Sequence, residues 1–166
     1  MRYASRNRRG DGVKQQKALK RRDGMQDGVQ DGVHRATHAV SFGDCDAAGI
    51  LFYPHHFRFM DATFQHWLRS RGTSQADLRE RLEAVGTGLV DASGAFRGPV
   101  HDGDALSHEM RVEEWGERTF RLAYAASVED RLVFEGRETR GLFRRVDGRL
   151  GLMPLTALRD ILERAP

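Results

Sequence analysis

Large apolar residues in the middle of the chain recur at three- and four-residue steps. Those that follow this spacing between Pro54 and Arg71 are Phe57, Met60, Phe64, Trp67 and Leu68. The spacing places them on one face, so it predicts a long amphipathic helix over this segment. Pro54 suits the first turn of this helix, and Gly72 suits the position just past its end.

Two shorter elements are predicted on either side of this helix. Before it, "HAVSF" at residues 38–42 alternates apolar and polar positions and predicts a strand that ends in a turn at Gly43. After it, a second and shorter helix is predicted, capped by Ser74 with Asp77 three residues later.

After Gly86 the hydrophobic period changes to two, which is typical of strands. The alternating segments are residues 88–98, 105–115, 119–128 and 131–145. The separators between them have the length of hairpin turns, so the segments predict a consecutive antiparallel meander. An edge strand over residues 148–155 and a helix over residues 156–164 are predicted to follow. The predicted fold class is α+β, with an antiparallel sheet of about five strands wrapped around a long central helix.

The basic residues are concentrated at the start of the chain. Residues 1–35 carry ten Lys or Arg and four Asp, a net charge of +6, whereas residues 36–166 carry a net charge of −3. The first segment has few large apolar groups, so we expect residues 1–35 to form a disordered extension and residues 36–166 one folded domain. Clustered arginines suit an arm for nucleic acid, but no aromatic residue beyond Tyr3 is interleaved for base stacking. We therefore expect a solvated extension, or an overlong start before Met25, and no nucleic-acid partner.

Several function classes lack the residues that they need. No apolar run has the length of a membrane span, and the basic N-terminal residues precede no apolar export segment, so a cytoplasmic protein without a membrane partner is expected. Cys45 is the only cysteine and cannot form an internal disulfide or a thiolate metal site alone. The sequence contains no H-E-x-x-H, G-x-S-x-G, G-x-G-x-x-G or P-loop motif, and Asp44, Asp46 and His66 make only a weak metal set. No metal and no nucleotide-driven chemistry is expected.

One acidic residue interrupts the apolar stripe of the long helix. Asp61 lies four residues after Phe57 and three before Phe64, on the face that should meet the sheet. A carboxylate there costs several kcal/mol unless it is paired or hydrogen-bonded. Either it is bound to a backbone amide or to an arginine such as Arg58 or Arg97, or it reaches water at a subunit boundary, or it contacts a ligand.

The segment "GDCDAAG" directly before the helix holds two further carboxylates. In an extended segment Asp44 and Asp46 point one way and Cys45 the other. The loop leads to the helix start at Tyr53, where unpaired N–H groups and the helix dipole stabilise negative charge. A carboxylate beside such a helix end is a minimal acyl-transfer site. The residues also allow a simple turn in which both aspartates cap backbone groups.

The stretch "FGDCDAAGILFYPHHFRFMDATF", residues 42–64, closely resembles the signature of the 4-hydroxybenzoyl-CoA thioesterase family of the hotdog fold. That signature runs G-D-C-D-P-A-G-I-x-x-Y-P-x-x-x-R-x-x-D, and a weaker resemblance continues to Phe120. The resemblance implies a hotdog fold and hydrolysis of an acyl-CoA thioester. It implies that Asp46 is the catalytic carboxylate and that the backbone amide of Tyr53 polarises the thioester carbonyl. It also implies that Asp61 contacts the phenolic hydroxyl of an aromatic acyl group.

The resemblance carries further expectations about binding and assembly. It implies that Gly49 and Arg118 belong to the substrate-binding residues, that coenzyme A is part of the substrate with no other cofactor, and that the chain forms a homodimer or, as a dimer of dimers, a homotetramer. The chain departs from the family at Ala47, where proline is usual, and at Gly116 and Glu117, where consecutive basic residues bind the nucleotide phosphates, so Arg118 is the main match there. The predicted function is therefore an aromatic acyl-CoA thioesterase. The alternatives are a short-chain aliphatic acyl-CoA thioesterase and a non-catalytic acyl-CoA-binding hotdog protein.

Overall fold

The computed structural model of the chain describes residues 28–30 and 32–163. Within these residues one antiparallel sheet of seven strands accompanies three α-helices and a short 3-10 turn. The strands are β1 (Gly28–Gln30), β2 (Val33–Ala39), β3 (Gly86–Phe96), β4 (Ala105–Trp115), β5 (Thr119–Val128), β6 (Arg131–Val146) and β7 (Arg149–Leu152). The helices are α1 (Tyr53–Ser70), α2 (Gln75–Leu82) and α3 (Thr156–Glu163), and the 3-10 turn is Phe42–Asp44.

The strand order in the sheet is β1-β2-β4-β5-β6-β3, and β7 pairs with the end of β6. Hairpins join β4 to β5 and β5 to β6, as the sequence predicts, and the bounds of β4 and β5 match the predicted segments. Helix α1 packs on the sheet through Met60, Phe64 and Leu68, which are fully buried. The predicted sheet around one long helix is therefore confirmed.

The local predictions for the helices also agree with the structure. Helix α1 begins at Tyr53, so Pro54 occupies its first turn, and Gly72 follows its end with a φ of +65°. Helix α2 begins after Ser74, whose side chain accepts a hydrogen bond from the Asp77 N–H at 3.2 Å.

The predicted meander is wrong at its first connection. Strand β3 pairs with β6, whereas β4 pairs with β2, so residues 97–104 are a crossover and not a hairpin turn. The loop before α1 forms backbone hydrogen bonds with this crossover. Leu51 N donates to the Val100 carbonyl at 2.7 Å, and Val40 N donates to the Asp104 carbonyl at 2.9 Å. These bonds carry the chain away from β3, and they hold the loop that precedes α1.

The predicted boundary of the folded domain at residue 36 is also wrong. Strand β2 starts at Val33, and its register with β4 runs from Val33 to Ala39, while β1 pairs with its first residues. The predicted strand over residues 38–42 ends early because the chain turns at Phe42–Asp44, which leaves Phe42 83% exposed. The prediction of disorder for residues 1–27 lies outside the described residues.

A glycine on β6 lets α1 approach the sheet closely. A Cβ atom added at Gly136 would lie 2.6 Å from Met60 Sδ and 2.8 Å from Phe134 Cε1. We expect Gly136→Ala to lower the free energy of unfolding by about 1–3 kcal/mol, because overpacking a filled core displaces its side chains. Urea unfolding measures the free energy of unfolding of both proteins. Gly151→Ala is the control, because a Cβ atom added at Gly151 would have no heavy atom within 4 Å. If both variants were as stable as the wild type, close packing at Gly136 would not matter.

None of the helices in the described part of the chain combines the length and the apolar run that a membrane crossing requires.

Candidate active site

Asp44 holds the loop in front of α1 in its shape. Its Oδ2 accepts hydrogen bonds from the Ser41 N–H at 3.0 Å and the Ser41 hydroxyl at 2.7 Å. Its Oδ1 pairs with the guanidinium of Arg58, and the ring of His55 lies 3.6 Å away. The hydrogen bonds from Ser41, together with the charge of Arg58, hold the pKa of Asp44 below its ordinary value. Both oxygens of this carboxylate therefore serve the structure of the loop.

Asp46 is exposed at the tip of the same loop. Its Oδ1 accepts a hydrogen bond from the Ala48 N–H at 2.8 Å, and its backbone carbonyl accepts one from Gly49 N at 2.9 Å. Gly49 has a φ of +75°, a conformation that glycine adopts without strain. Among the described residues only Ala48 bonds to the Asp46 carboxylate. The turn thus fixes one oxygen, and no side chain or N–H of the described residues bonds Oδ2.

The N-terminus of α1 lies next to this loop. Phe52 N donates to the Asp44 carbonyl at 2.9 Å, which ties the helix start to the loop. Tyr53 is the first helical residue, so its N–H has no helical carbonyl four residues earlier to bond. Pro54, the next residue, has no N–H. The Tyr53 amide is therefore the donor that this helix end presents, together with the positive end of the helix dipole.

A stripe on α1 leads from the loop to a cavity. Tyr53, Phe57 and Asp61 follow each other at four-residue steps and share one face of the helix. Phe57 and Asp61 line a cavity of about 680 Å³, together with residues of β3 and β6. Its apolar walls include Leu89 and Phe143. This volume lies in the ordinary range of small-molecule sites.

Asp61 lies at the border of the cavity and is not buried in the core. Its side chain is 53% exposed, and its Oδ1 accepts a hydrogen bond from Arg140 Nη2 at 2.8 Å. Neither arginine suggested by the sequence is the partner, because Arg58 pairs with Asp44, and Arg97 pairs with Glu135 at 2.7 Å. The carboxylate is tolerated on the helix because it is half solvated and paired.

Sequence reasoning missed the residues behind Asp61. Arg140 Nε donates to Glu138 Oε2 at 2.7 Å, and the Tyr124 hydroxyl donates to the same oxygen at 2.8 Å. Burial and the neighbouring charge of Glu138 raise the pKa of Tyr124 well above its ordinary value, so the hydroxyl keeps its proton. One signal was available, since Glu138 and Arg140 stand two apart on a strand and must share a face.

The model of the "Thioesterase-like superfamily" matches residues 40–162 of the chain. This chain belongs to that superfamily.

Two curated relatives of this thioesterase-like chain carry names of CoA hydrolases. The 1,4-dihydroxy-2-naphthoyl-CoA hydrolase of Prochlorococcus marinus (strain MIT 9313) is 30% identical over 100 residues, which are 57% of this chain and 66% of the relative. The 4-hydroxybenzoyl-CoA thioesterase of Pseudomonas sp. (strain CBS-3) is 30% identical over 90 residues, which are 53% of this chain and 63% of the relative. The matches thus span slightly less than two thirds of each relative.

The solved structure of the Pseudomonas enzyme aligns with a TM-score of 0.70 and 26% identity, over 79% of this chain and 97% of that chain. The fold is accordingly the hotdog fold, as the resemblance in the sequence implied.

Of the predicted site residues, Asp61 alone lines the cavity of this thioesterase-like domain, and Asp46, Gly49, Tyr53 and Arg118 do not. Arg118 is exposed in the turn between β4 and β5, where its Nε lies 3.5 Å from Glu117 Oε1, and it does not line the cavity. His66 contacts His34 at 2.9 Å, on the β2 side of the helix. Among the described residues no three His, Cys, Asp or Glu side chains are placed to hold a metal ion. The alternative metal set with His66 therefore finds no support.

Proposed function

We propose that this protein hydrolyses the thioester of an aromatic acyl-CoA. The observation that carries this proposal is Asp46, an exposed carboxylate that a turn holds by one oxygen, in the loop that is bonded to the start of α1. From this point the stripe of Tyr53, Phe57 and Asp61 leads into a cavity with apolar walls. Two relatives whose printed names contain aryl-CoA substrates, the naphthoyl-CoA hydrolase and the hydroxybenzoyl-CoA thioesterase, support the aromatic class.

The proposed reaction uses the Asp46 carboxylate and the Tyr53 amide. Asp46 Oδ2 attacks the thioester carbon, the carbonyl electrons move to oxygen, and the C–S bond then breaks to release the CoA thiolate. Water hydrolyses the resulting mixed anhydride to the free acid and restores Asp46. In a second route Asp46 takes a proton from water, which attacks the carbon directly. In both routes the Tyr53 N–H and the helix dipole stabilise the oxyanion. Coenzyme A enters as part of the substrate, and the reaction needs no other cofactor.

A comparison of three substrates tests the acyl class. The purified protein is expected to release CoA from 4-hydroxybenzoyl-CoA faster than from benzoyl-CoA, and much more slowly from butyryl-CoA. Free thiol is followed with a chromogenic disulfide. Fastest release from butyryl-CoA would replace the aromatic assignment with the short-chain aliphatic one, in which Asp61 has no hydroxyl to bind.

We also propose that the chain works as a homodimer, alone or as a dimer of dimers. Strand β3 is an outer strand of the sheet, and Leu89, Val90 and Phe96 on it are each about half exposed. An open strand edge with apolar side chains favours pairing with another strand, and a second copy provides one. Because Leu89 also lines the cavity, such pairing would close the cavity mouth.

Val90→Asp is expected to convert the dimer into a monomer, because the new charge would have to be buried at the strand edge. Light scattering behind size-exclusion chromatography measures the mass. Val146→Asp is the matched control, because Val146 is similarly exposed but lies at the far end of β6. A wild-type protein of monomer mass would contradict the proposed assembly.

A further inference from the structure

A hydrogen-bonded series of four polar side chains crosses from the sheet to α1, and three of them, Glu138, Arg140 and Asp61, line the cavity. Tyr124 donates to Glu138, Glu138 accepts from Arg140, and Arg140 donates to Asp61, with distances of 2.8, 2.7 and 2.8 Å. Tyr124, Glu138 and Arg140 are buried, and only Asp61 reaches solvent. Buried charges are costly unless they are paired and hydrogen-bonded, so each member of the chain depends on the next.

These hydrogen-bonded side chains hold the Asp61 carboxylate in one orientation. A half-exposed aspartate on a helix would otherwise sample several rotamers. Here Oδ1 is taken by a charge-assisted bond from Arg140. Arg140 is itself immobile, because Glu138 holds its Nε and its guanidinium carbon lies 4.1 Å from the centre of the Phe64 ring. Asp61 therefore presents Oδ2 to the cavity as a fixed acceptor.

Arg140 also lines the cavity, next to Asp61. A guanidinium carries five N–H donors, and side chains of the described residues accept from it only at Nε and Nη2. Nη2 is the atom that bonds Asp61 Oδ1, at 2.8 Å, and Nη1 of the same planar group donates to no side chain of the described residues. A fixed acceptor and a fixed donor thus stand side by side at hydrogen-bond separation.

We infer that Asp61 and Arg140 form one specificity subsite that recognises two oxygens on adjacent carbons of the acyl ring. One oxygen is a hydroxyl that donates to Asp61, and its neighbour accepts from Arg140. The two side chains touch through Oδ1 and Nη2, 2.8 Å apart, so Oδ2 and Nη1 are left for two oxygens that are themselves close neighbours, as on adjacent ring carbons. The inference rests on the proposed thioesterase function and narrows its substrate to aryl-CoA esters with vicinal oxygens, such as a 3,4-dihydroxybenzoyl group. Arg140 has a second role, since it positions Asp61.

The test compares kcat/KM for 3,4-dihydroxybenzoyl-CoA, 4-hydroxybenzoyl-CoA and benzoyl-CoA. In the wild type each added hydroxyl is expected to raise kcat/KM by about 10-fold or more, as a hydrogen bond to a charged group does. Equal values for the dihydroxy and monohydroxy substrates in the wild type would overturn the inference without any variant.

Variants separate the two members of the subsite. Asp61→Asn is expected to remove most of the gain from the 4-hydroxyl, and Arg140→Gln to remove the gain from both hydroxyls, because Asp61 is then no longer held. Arg140→Lys should restore part of the preference. If Arg140 had a purely structural role, Arg140→Gln would lower kcat/KM for all three substrates by the same factor. That result would overturn the inference. Arg35→Gln, which breaks an exposed ion pair with Glu109, is the control for loss of an arginine.

Circular dichroism and thermal unfolding of each variant establish that it is folded. If Arg140→Gln does not fold, the inference is tested by the order of kcat/KM among the three substrates in the wild type and by the change of that order in Asp61→Asn. The absence of CoA release from every substrate would overturn the proposed function and this inference with it. Release at equal rates would overturn the inference alone.

Discussion

Asp46→Asn is expected to reduce kcat for 4-hydroxybenzoyl-CoA by about 10³-fold or more, while the protein remains folded. The amide is neutral and can neither attack the thioester carbon nor take a proton from water, and loss of a nucleophile or base has effects of this order. The amide oxygen can still accept the bond from Ala48 N, so the turn is preserved. Initial rates of CoA release, with an unfolding curve for each protein, measure both quantities.

Asp44→Asn provides the matched control two residues earlier. Asp44 bonds to Ser41 and pairs with Arg58, so its replacement is expected to lower the melting temperature and to leave a measurable rate. A full wild-type rate in Asp46→Asn would contradict the proposed mechanism. It would mean that the G-D-C-D segment is only a turn and that another group carries the hydrolysis, whereas a wild type that releases no CoA would favour the non-catalytic acyl-CoA-binding protein.

The two aspartates show what the residues alone can predict. The pattern before the helix predicts a turn and a possible acyl-transfer site, and these alternatives need not exclude each other. In the structure Asp44 has both oxygens bound, whereas Asp46 has one oxygen bound and lies exposed. Asp44 is bound on both oxygens because Ser41 and Arg58 reach it from either side in the sequence. Only the three-dimensional structure shows that these residues bind Asp44 and not Asp46.

Elements set by local patterns were predicted well. The cap at Ser74 and the bounds of β4 and β5 depend on residues that are neighbours in the sequence. The position of β3 was not predicted, because strand pairing depends on contacts between distant segments, and hairpin-length separators do not exclude a crossover. For the same reason the partner of Asp61 was missed, since Arg140 lies 79 residues later on another element.

A group of histidines lies between α1 and the strands β2 and β4. His38 contacts the ring of His108 edge-on, with 5.3 Å between ring centres, and His56 stacks on Phe134 at 4.6 Å. His108 is fully buried, and among the described residues neither of its ring nitrogens meets a hydrogen-bond partner. Burial lowers the pKa of His56 to about 4, and burial with the nearby His38 and His56 lowers that of His108 to about 3.

The second large effect follows from these two histidines. A histidine in the unfolded chain has a pKa of about 6.5. Below this pH His56 and His108 are therefore protonated in the unfolded chain but remain neutral in the folded chain. Their stabilising contribution is complete above pH 6.5 and is lost as the pH falls. With both groups acting, the free energy of unfolding should fall by about 2.7 kcal/mol per pH unit at the steepest, and the loss continues to about pH 4 for His56 and to about pH 3 for His108.

Urea unfolding at pH 7.5, 6.5, 5.5 and 4.5 measures this slope. His108→Leu should reduce it by about half, because one of the two groups is removed and the leucine fills the site without a polar atom. His101→Gln is the control, since His101 is exposed, and its slope should equal that of the wild type. A free energy of unfolding that stays constant from pH 7.5 to 4.5 would mean that both rings accept protons in the folded state.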